Sequence, residues 1–337
     1  MIKISVSKAK ELIPTALRSG LVPMLHGSPG LGKSAVVHQI AKQYKLKLID
    51  LRLSQCDPTD LMGFPFMKNG RSGYAPMEAF PLDVDPIPTG YTGWLLFLDE
   101  LTSAPQAVQA AAYKLILDRM VGLHKLHSNV AIVAAGNLET DGAIVNPMST
   151  ALASRLMHLF VELNAKEWLS WAMENQMDHR LTSFVEFRPD KLYTFSPTNP
   201  DMAYACPRTW ESSDKLMKHV DINRDTLPMF AGLLSEGVSR ELLGFCQASA
   251  NLPRIEQILQ SPRTMAVPGE PSYQYALIGA IAANTTEENC SSLMEYIKRM
   301  PAEFQVVGLR SMIKRNKTLL GIPAITNWVT ETSAELL

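Results

Sequence analysis

The chain has 337 residues, 46% of them hydrophobic, which is enough for two or three domains with cores of their own. Its 32 basic and 33 acidic residues give a formal net charge of -1, so no overall field would draw it onto a polyanion or an anionic membrane. The four cysteines lie far apart without a C-x-x-C pair, which argues against a zinc site and a disulfide framework. The N-terminus lacks a secretion signal, and no apolar run reaches the ~18 residues that span a bilayer. We therefore expect a cytoplasmic protein with no membrane partner.

Apolar periodicity predicts alternating strands and helices in the first half of the chain. Residues 6–17 have apolar side chains at helical spacing, and residues 33–44 repeat that pattern. Short apolar runs without alternation are typical of parallel strands that are covered on both faces. Five runs of this kind occur at residues 21–25, 46–51, 94–98, 130–135 and 157–163. This order predicts an α/β domain with a parallel sheet.

The second half of the chain is predicted to be helical. From about residue 164, helical patterns are separated by Pro and Gly, and few strand candidates remain. Four prolines make residues 187–207 an exposed connection, and VPGEP at 267–271 indicates a further boundary. We therefore expect an α/β domain at 1–163, a helical domain at 164–265 and a C-terminal helical region at 266–337.

A glycine-rich stretch lies between the first predicted strand of the sheet and the helix that follows it. It matches the phosphate-binding pattern G-x-x-x-x-G-K-[ST] in full, with the residues Gly27, Ser28, Pro29, Gly30, Leu31, Gly32, Lys33 and Ser34. Such a loop can point backbone N–H groups at phosphate oxygens, where the helix dipole also favours negative charge. Lys33 would reach the β- and γ-phosphates and the Ser34 hydroxyl would ligate Mg²⁺, so we expect ATP and Mg²⁺ here. The alternative is a chance glycine-rich turn before a helix.

Polar side chains follow two of the predicted strands. The strand at 94–98 ends in Asp99 and Glu100, and the strand at 130–135 is followed by Asn137. Ligands bind at the carboxyl ends of strands in open α/β sheets, so Asp99 could hold Mg²⁺ and Glu100 could act as the general base toward water. Asn137 could orient that water or contact the γ-phosphate. The alternatives are a solvated acidic turn for the two acids and a common Gly-Asn turn for Asn137.

These motifs, in this order, resemble those of an AAA+ ATPase, and within that superfamily the MoxR branch. The stretches that carry the resemblance are LLFLDELTSAPQAVQAAAYKLILDRMVG at 95–122, NVAIVAAGN at 129–137, NPMSTALASRL at 146–156 and CPRTW at 206–210. The resemblance covers roughly residues 20–215. It implies an AAA+ P-loop αβα sandwich with a parallel sheet, followed by an all-α lid and a C-terminal helical region.

The resemblance also implies roles for three residues outside the loop. Asn137 matches sensor 1, Arg155 matches the arginine finger that completes the site of an adjacent subunit, and Arg208 matches sensor 2, which contacts the nucleotide from the lid. The chain departs from the family at two positions, with Ser103 where relatives often have arginine and Leu156 where an aromatic residue is usual. The alternative for either arginine is a solvated surface residue or a loose ion pair.

The MoxR-like pattern implies an assembly and a client. Such proteins resemble homo-oligomeric rings, usually hexamers, that use ATP hydrolysis to remodel a partner protein, often one with a von Willebrand factor A domain. The pattern also implies a small β-hairpin within residues 61–74, for which the alternation and the Asn-Gly turn are suitable; a plain surface hairpin is the alternative. Two other functions remain open: a nucleic-acid-associated motor or loader, which the near-neutral charge does not indicate, and an ATP-dependent assembly switch with little turnover.

Overall fold

The structure, a computed structural model, describes residues 1–142, 145–199 and 201–335. The chain divides into two compact units, Met1–Asn164 with Ser196–Thr198, and Ala165–Phe195 with Asn199–Leu337. The second unit spans both helical regions expected from the sequence, and the boundary expected between them at residue 265 stays a prediction. None of the helices in the described part of the chain is both long and apolar enough to cross a membrane.

The first unit contains all the strands found in the described residues. They are β1 (Lys3–Ser5), β2 (Val22–His26), β3 (Leu46–Arg52), β4 (Phe64–Lys68), β5 (Arg71–Ala75), β6 (Gly93–Asp99), β7 (Met120–Val121), β8 (His124–Lys125), β9 (Val130–Gly136) and β10 (Leu156–Glu162). Its helices are α1 (Val6–Arg18), α2 (Lys33–Gln43), α3 (Pro58–Met62), α4 (Gln106–Asp118) and α5 (Thr150–Ala153).

Six strands form one parallel sheet in the order β1-β10-β2-β9-β6-β3. Helices cover both faces, and each face has its own core. Along β6, Leu95 and Phe97 pack with α1 and α2, whereas Leu96 and Leu98 pack with α3 and α4. Because both faces are covered, this strand is apolar throughout. The predicted αβα sandwich with a parallel sheet is confirmed.

Two details of the sheet differ from the sequence prediction. All five predicted strands exist, with ends shifted by at most one residue, but the three-residue β1 was not predicted because so short a run carries no period. We also expected the strand at 46–51 to be buried on both faces. It is β3, the edge strand, and no residue in it is fully buried, since an edge strand has a neighbour on one side only.

Two antiparallel hairpins extend from the layers of the first unit. In the β4–β5 hairpin, Asn69 (φ 51°) and Gly70 (φ 72°) have the positive φ angles of a type I′ turn, as the Asn-Gly pair predicts. The β7–β8 hairpin lies against it, and His124 Nε2 is 3.2 Å from the carbonyl oxygen of Tyr74. The expected hairpin within residues 61–74 is therefore present.

In the described residues of the second unit, all regular secondary structure is helical, as predicted. Its helices are α6 (Ala165–Glu174), α7 (His179–Phe187), α8 (Pro207–Met217), α9 (Leu227–Leu234), α10 (Glu236–Ser249), α11 (Ile255–Gln260), α12 (Pro271–Asn284), α13 (Cys290–Ile297), α14 (Ala302–Arg315) and α15 (Pro323–Glu335). Helices α7 and α12 pack so closely that a Cβ added to Gly279 would lie 1.8 Å from Ser183 Oγ. Buried aromatic side chains, among them Phe184, Trp210 and Tyr296, fill the interior of this unit.

Candidate functional site: a glycine-rich loop at the carboxyl end of the sheet

The glycine-rich loop runs from the end of β2 to the first turn of α2. Gly30 (φ 79°) and Gly32 (φ 94°) have left-handed backbone conformations that other residues rarely adopt. At Gly27 a Cβ would lie 2.9 Å from the carbonyl oxygen of Val161, so β10 requires glycine there. Pro29 lies in the turn and Leu31 is buried beneath it. A loop of this shape before a helix N-terminus forms a concavity suited to an anion.

Lys33 folds back over this loop. Its side chain is only 8% exposed, and its Nζ donates to the carbonyl oxygens of Gly27 and Ser28, the latter at 3.0 Å. The same ammonium group donates to Asn137 Oδ1 at 3.1 Å. The sequence motif on β2–α2 and the polar residue after β9 therefore meet at one point.

Ser34 and Asp99 form a second contact in the site. Ser34 Oγ donates to Asp99 Oδ2 at 2.8 Å, and Asp99 Oδ1 accepts from the backbone N–H of Glu100 at 2.9 Å. A hydroxyl and a carboxylate are hard oxygen donors, which Mg²⁺ prefers, and Mg²⁺ is usually bound by one or two protein groups together with substrate phosphates. The donor set of Ser34 and Asp99 fits the ion that the sequence predicts.

Glu100 sits at a strained position just past the end of β6. Its backbone is left-handed (φ 58°, ψ 31°), which is uncommon for a residue with a side chain. The Ser54 hydroxyl, from the segment after β3, donates a hydrogen bond to Glu100 Oε2. The carboxylate of the candidate general base is thus occupied by a neighbouring side chain.

A hydrogen bond to its backbone carbonyl oxygen holds Asn137 in place. Thr102 Oγ1, three residues after Asp99, donates to the carbonyl oxygen of Asn137 at 3.2 Å. The preceding Gly136 has no room for a side chain, because a Cβ would lie 2.4 Å from Thr102 Oγ1 and 2.9 Å from Met24 Cε. The turn after β6 is therefore packed directly against the end of β9.

Some residues of the site were not found by sequence reasoning. Ser54 contacts Glu100, and Asp141, 8% exposed, accepts a hydrogen bond from Ser28 Oγ at 2.7 Å. His26 precedes the loop, and its Nε2 lies 2.7 Å from His158 Nδ1. Burial, the neighbouring His158 and the charge of Lys33 lower the pKa of His26 to about 4, so this ring is neutral at pH 7. His26 ends β2 and Ser54 lies two residues after β3, and these positions are the signal that could have indicated the two residues.

The two predicted arginines belong to segments other than those described above. Arg155 follows α5 and is exposed; its Nη1 donates to the Ala151 carbonyl oxygen and to Ser154 Oγ, both at 3.0 Å. Its guanidinium carbon lies 5.2 Å from the ring centre of Tyr113. Arg208 belongs to the second unit, where it is exposed in the first turn of α8.

Comparisons with known proteins agree with the fold of the first unit. Residues 23–159 match the model of AAA, the ATPase family associated with various cellular activities. A search of curated proteins found no match to the chain.

Solved structures similar to the chain share little of its sequence. NtrX from Brucella abortus is 14% identical with a TM-score of 0.40, and the match covers 92% of this chain and 69% of that one. The same protein in complex with ATP is 15% identical with a TM-score of 0.40, covering 93% and 69%. A presumed ATPase from Cytophaga hutchinsonii is 14% identical with a TM-score of 0.37, covering 98% and 89%.

Proposed function

We propose that this chain is a MoxR-like AAA+ ATPase that hydrolyses ATP with Mg²⁺ in a homo-oligomeric ring and remodels a partner protein. The observation that carries the proposal is the meeting of three separate sequence motifs at one site. Lys33 contacts Asn137 at 3.1 Å and Ser34 contacts Asp99 at 2.8 Å, although these residues are far apart in the sequence.

Each residue has a task that its position supports. Backbone N–H groups of the loop and the ammonium group of Lys33 would bind the β- and γ-phosphates, in place of the carbonyl oxygens that Lys33 now contacts. Ser34 and Asp99 would hold Mg²⁺, which neutralises charge on the phosphate oxygens when bound. Once the hydrogen bond from Ser54 to the Glu100 carboxylate is broken, Glu100 would accept a proton from the attacking water. Asn137 would orient that water.

The ring is proposed from the position of Arg155. An exposed guanidinium that exchanges its hydrogen bonds to its own segment for new ones would reach the nucleotide of an adjacent subunit, where it would stabilise charge on the transferring phosphoryl group. Arg208, which the resemblance places in the lid, would contact the nucleotide from the second unit. We propose a hexamer on the same resemblance.

Mixing two inactive variants tests the shared site. The Lys33→Ala variant should lose ATP binding but keep Arg155, its arginine finger. The Arg155→Ala variant should bind ATP but hydrolyse it poorly. In mixed rings, an Arg155→Ala subunit with an intact glycine-rich loop can lie beside a Lys33→Ala subunit with an intact Arg155. ATP hydrolysis should therefore reappear and be highest at intermediate ratios of the two variants. No recovery in rings shown by labelling to be mixed would refute the ring mechanism.

The β4–β5 hairpin supports a polypeptide partner. Phe64 and Met67 are 71% and 72% exposed, and Phe66 and Tyr74 are also exposed. Exposed apolar residues gathered on one element are typical of a protein-binding surface. We propose that the hairpin contacts the partner, which on the resemblance is a protein with a von Willebrand factor A domain.

A trapped complex would identify this partner. Glu100→Gln keeps the shape of the side chain but removes the base, so it should bind ATP while hydrolysis falls by about 10²–10⁴-fold. Purification of this variant with ATP should retain the partner, and replacing Phe64 and Met67 by serine in the same variant should release it. Normal turnover in Glu100→Gln would assign the base elsewhere.

One observation favours a nucleic-acid-associated motor as the second candidate. Lys68 and Arg71, the charged residues of the β4–β5 hairpin, are both basic and flank its turn among aromatic side chains. That combination also suits single-stranded nucleic acid, through phosphate contacts and base stacking. Stimulation of ATP hydrolysis by DNA or RNA, with a steep dependence on salt, would favour this candidate over the protein partner.

A further inference from the structure

Two histidines stack at the point where β2 enters the nucleotide-binding loop. His26, the last residue of β2, and His158 on the neighbouring β10 have ring centres 5.0 Å apart, with their planes inclined by 28°. The His26 ring also stacks on Phe160 at 4.8 Å. Because the P-loop begins at the next residue, Gly27, this pair is fixed to the loop by a single peptide bond.

The two hydrogen bonds of the pair have the same direction: His26 donates to His158, and His158 donates to the carbonyl oxygen of Ala153. His158 Nε2 lies 2.9 Å from the carbonyl oxygen of Ala153, and a carbonyl can only accept, so the hydrogen of the ring is on Nε2. Nδ1 of His158 is then an acceptor, and His26 Nε2 donates to it at 2.7 Å. A chain of two hydrogen bonds therefore joins His26 to the Ala153 carbonyl.

That carbonyl lies at the end of the helix that precedes Arg155. The helix α5 ends at Ala153 and has only four residues, so its last carbonyls have no partners within the helix. Ser149 caps the other end, where its Oγ accepts from the backbone N–H of Leu152 at 3.2 Å. Arg155 in turn bonds to the Ala151 carbonyl, so its resting position depends on α5 staying in place.

We propose that His158 is a positioning residue for Arg155, and that the His26–His158 pair joins the P-loop and the segment carrying Arg155 into one hydrogen-bonded unit. This inference rests on the proposed function, in which Arg155 completes the site of the adjacent subunit. His158 touches neither nucleotide nor water in this role. It acts by satisfying the end of α5, and so fixes the point from which the guanidinium reaches across.

The mixing experiment measures this effect when the histidine substitution is made in the Lys33→Ala subunit, which supplies Arg155 and is called the donor. The Arg155→Ala subunit, which binds ATP, is called the acceptor. The donors are Lys33→Ala subunits, alone or with His158→Leu, His158→Gln or His38→Leu, and the acceptor is always Arg155→Ala. Donors cannot bind ATP and acceptors keep His158, so the recovered turnover reports only on the donor's finger. His38, on α2 beside Asp50 at 3.1 Å, is the control for loss of a histidine outside the pair.

We expect His158→Leu to lower the recovered kcat at least tenfold, with the KM for ATP unchanged, because the acceptor's loop is intact. His158→Gln, whose amide nitrogen can still donate to the Ala153 carbonyl, should restore most of the rate, and His38→Leu should leave it unchanged. Recovery that is as high with His158→Leu as with Lys33→Ala alone, in rings of equal subunit content, would refute the positioning role. No recovery with the parent donor would instead refute the ring mechanism, and this proposal with it.

Discussion

Gly136→Ala tests how tightly the end of β9 is packed against the turn after β6 and against β2 at the candidate site. The added Cβ would lie 2.4 Å from Thr102 Oγ1, 2.7 Å from Thr102 Cγ2 and 2.9 Å from Met24 Cε, all nearer than real Cβ contacts. Thr102 is 6% exposed and Met24 is fully buried, so neither side chain can turn into solvent. Thr102, with the turn that carries it, and Met24 must therefore shift to admit one methyl group.

Overpacking of this kind typically costs 1–3 kcal/mol, and about 2 kcal/mol is expected here since three contacts are violated at once. For a unit of this size, that free energy lowers the melting temperature by roughly 4–8 °C. Gly244→Ala is the matched control, because a Cβ at that exposed position on α10 meets nothing within 4 Å. The control should be neutral or stabilised by up to ~1 kcal/mol, the usual effect of replacing a helical glycine with alanine.

A double variant identifies the cause of the loss. Thr102→Ala alone should cost about 1 kcal/mol, because its hydrogen bond to the Asn137 carbonyl is removed. Combined with Gly136→Ala it removes both clashing atoms of Thr102, so denaturant unfolding should give a total cost below the sum of the two single variants. Additive costs would refute the packing argument, as would a Gly136→Ala protein with unchanged stability and unchanged ATP hydrolysis.

Three further predictions concern the chemistry of the site. Lys33→Ala should lose most of its affinity for labelled ATP in a binding titration, since charge-assisted hydrogen bonds to the phosphates are removed; a titration like that of the parent would contradict the P-loop assignment. Ser54→Ala frees the Glu100 carboxylate and should raise basal turnover severalfold without changing ATP affinity, whereas lower turnover would show that Ser54 helps the base. The pKa of His26 is about 4 when folded and 6.5 when unfolded, so its contribution to stability is complete above pH 6.5 and is lost as the pH falls toward 4. The free energy of unfolding should therefore drop between pH 6.5 and 4.5 by about 1–2 kcal/mol more in the parent than in His26→Gln. The difference is smaller than the pKa shift alone would give, because the His26 ring of the parent is partly exposed to solvent. An equal dependence of the unfolding free energy on pH in the two proteins would contradict this.

The sequence predicted those features whose signals are contiguous. The P-loop is a run of eight residues with fixed spacing, and the turn of the β4–β5 hairpin is an Asn-Gly pair. Strands β6 and β9 were recognised because parallel strands covered on both faces are short and apolar throughout. In each case the physical requirement acts on neighbouring residues, so it is visible in a single sequence.

The features that were not predicted depend on contacts between distant segments. Ser54 and Asp141 lie 46 and 113 residues from the partners they contact, and neither residue type in its local sequence indicates that partner. The exposed face of β3 follows from its place at the sheet edge, which depends on strand order rather than on its own residues. The roles of the predicted site residues, including Arg155 and Arg208, stay predictions, since contacts alone do not measure catalysis.

The backbone of Glu100 has a consequence for protein engineering. At φ 58° a residue with a Cβ is less stable than glycine by roughly 1–2 kcal/mol, so Glu100→Gly should melt at a higher temperature than the parent. A library selected for heat resistance alone would enrich glycine at this position and would collect proteins that have lost the candidate base. Directed evolution of this chain therefore needs a screen for turnover beside the one for heat resistance.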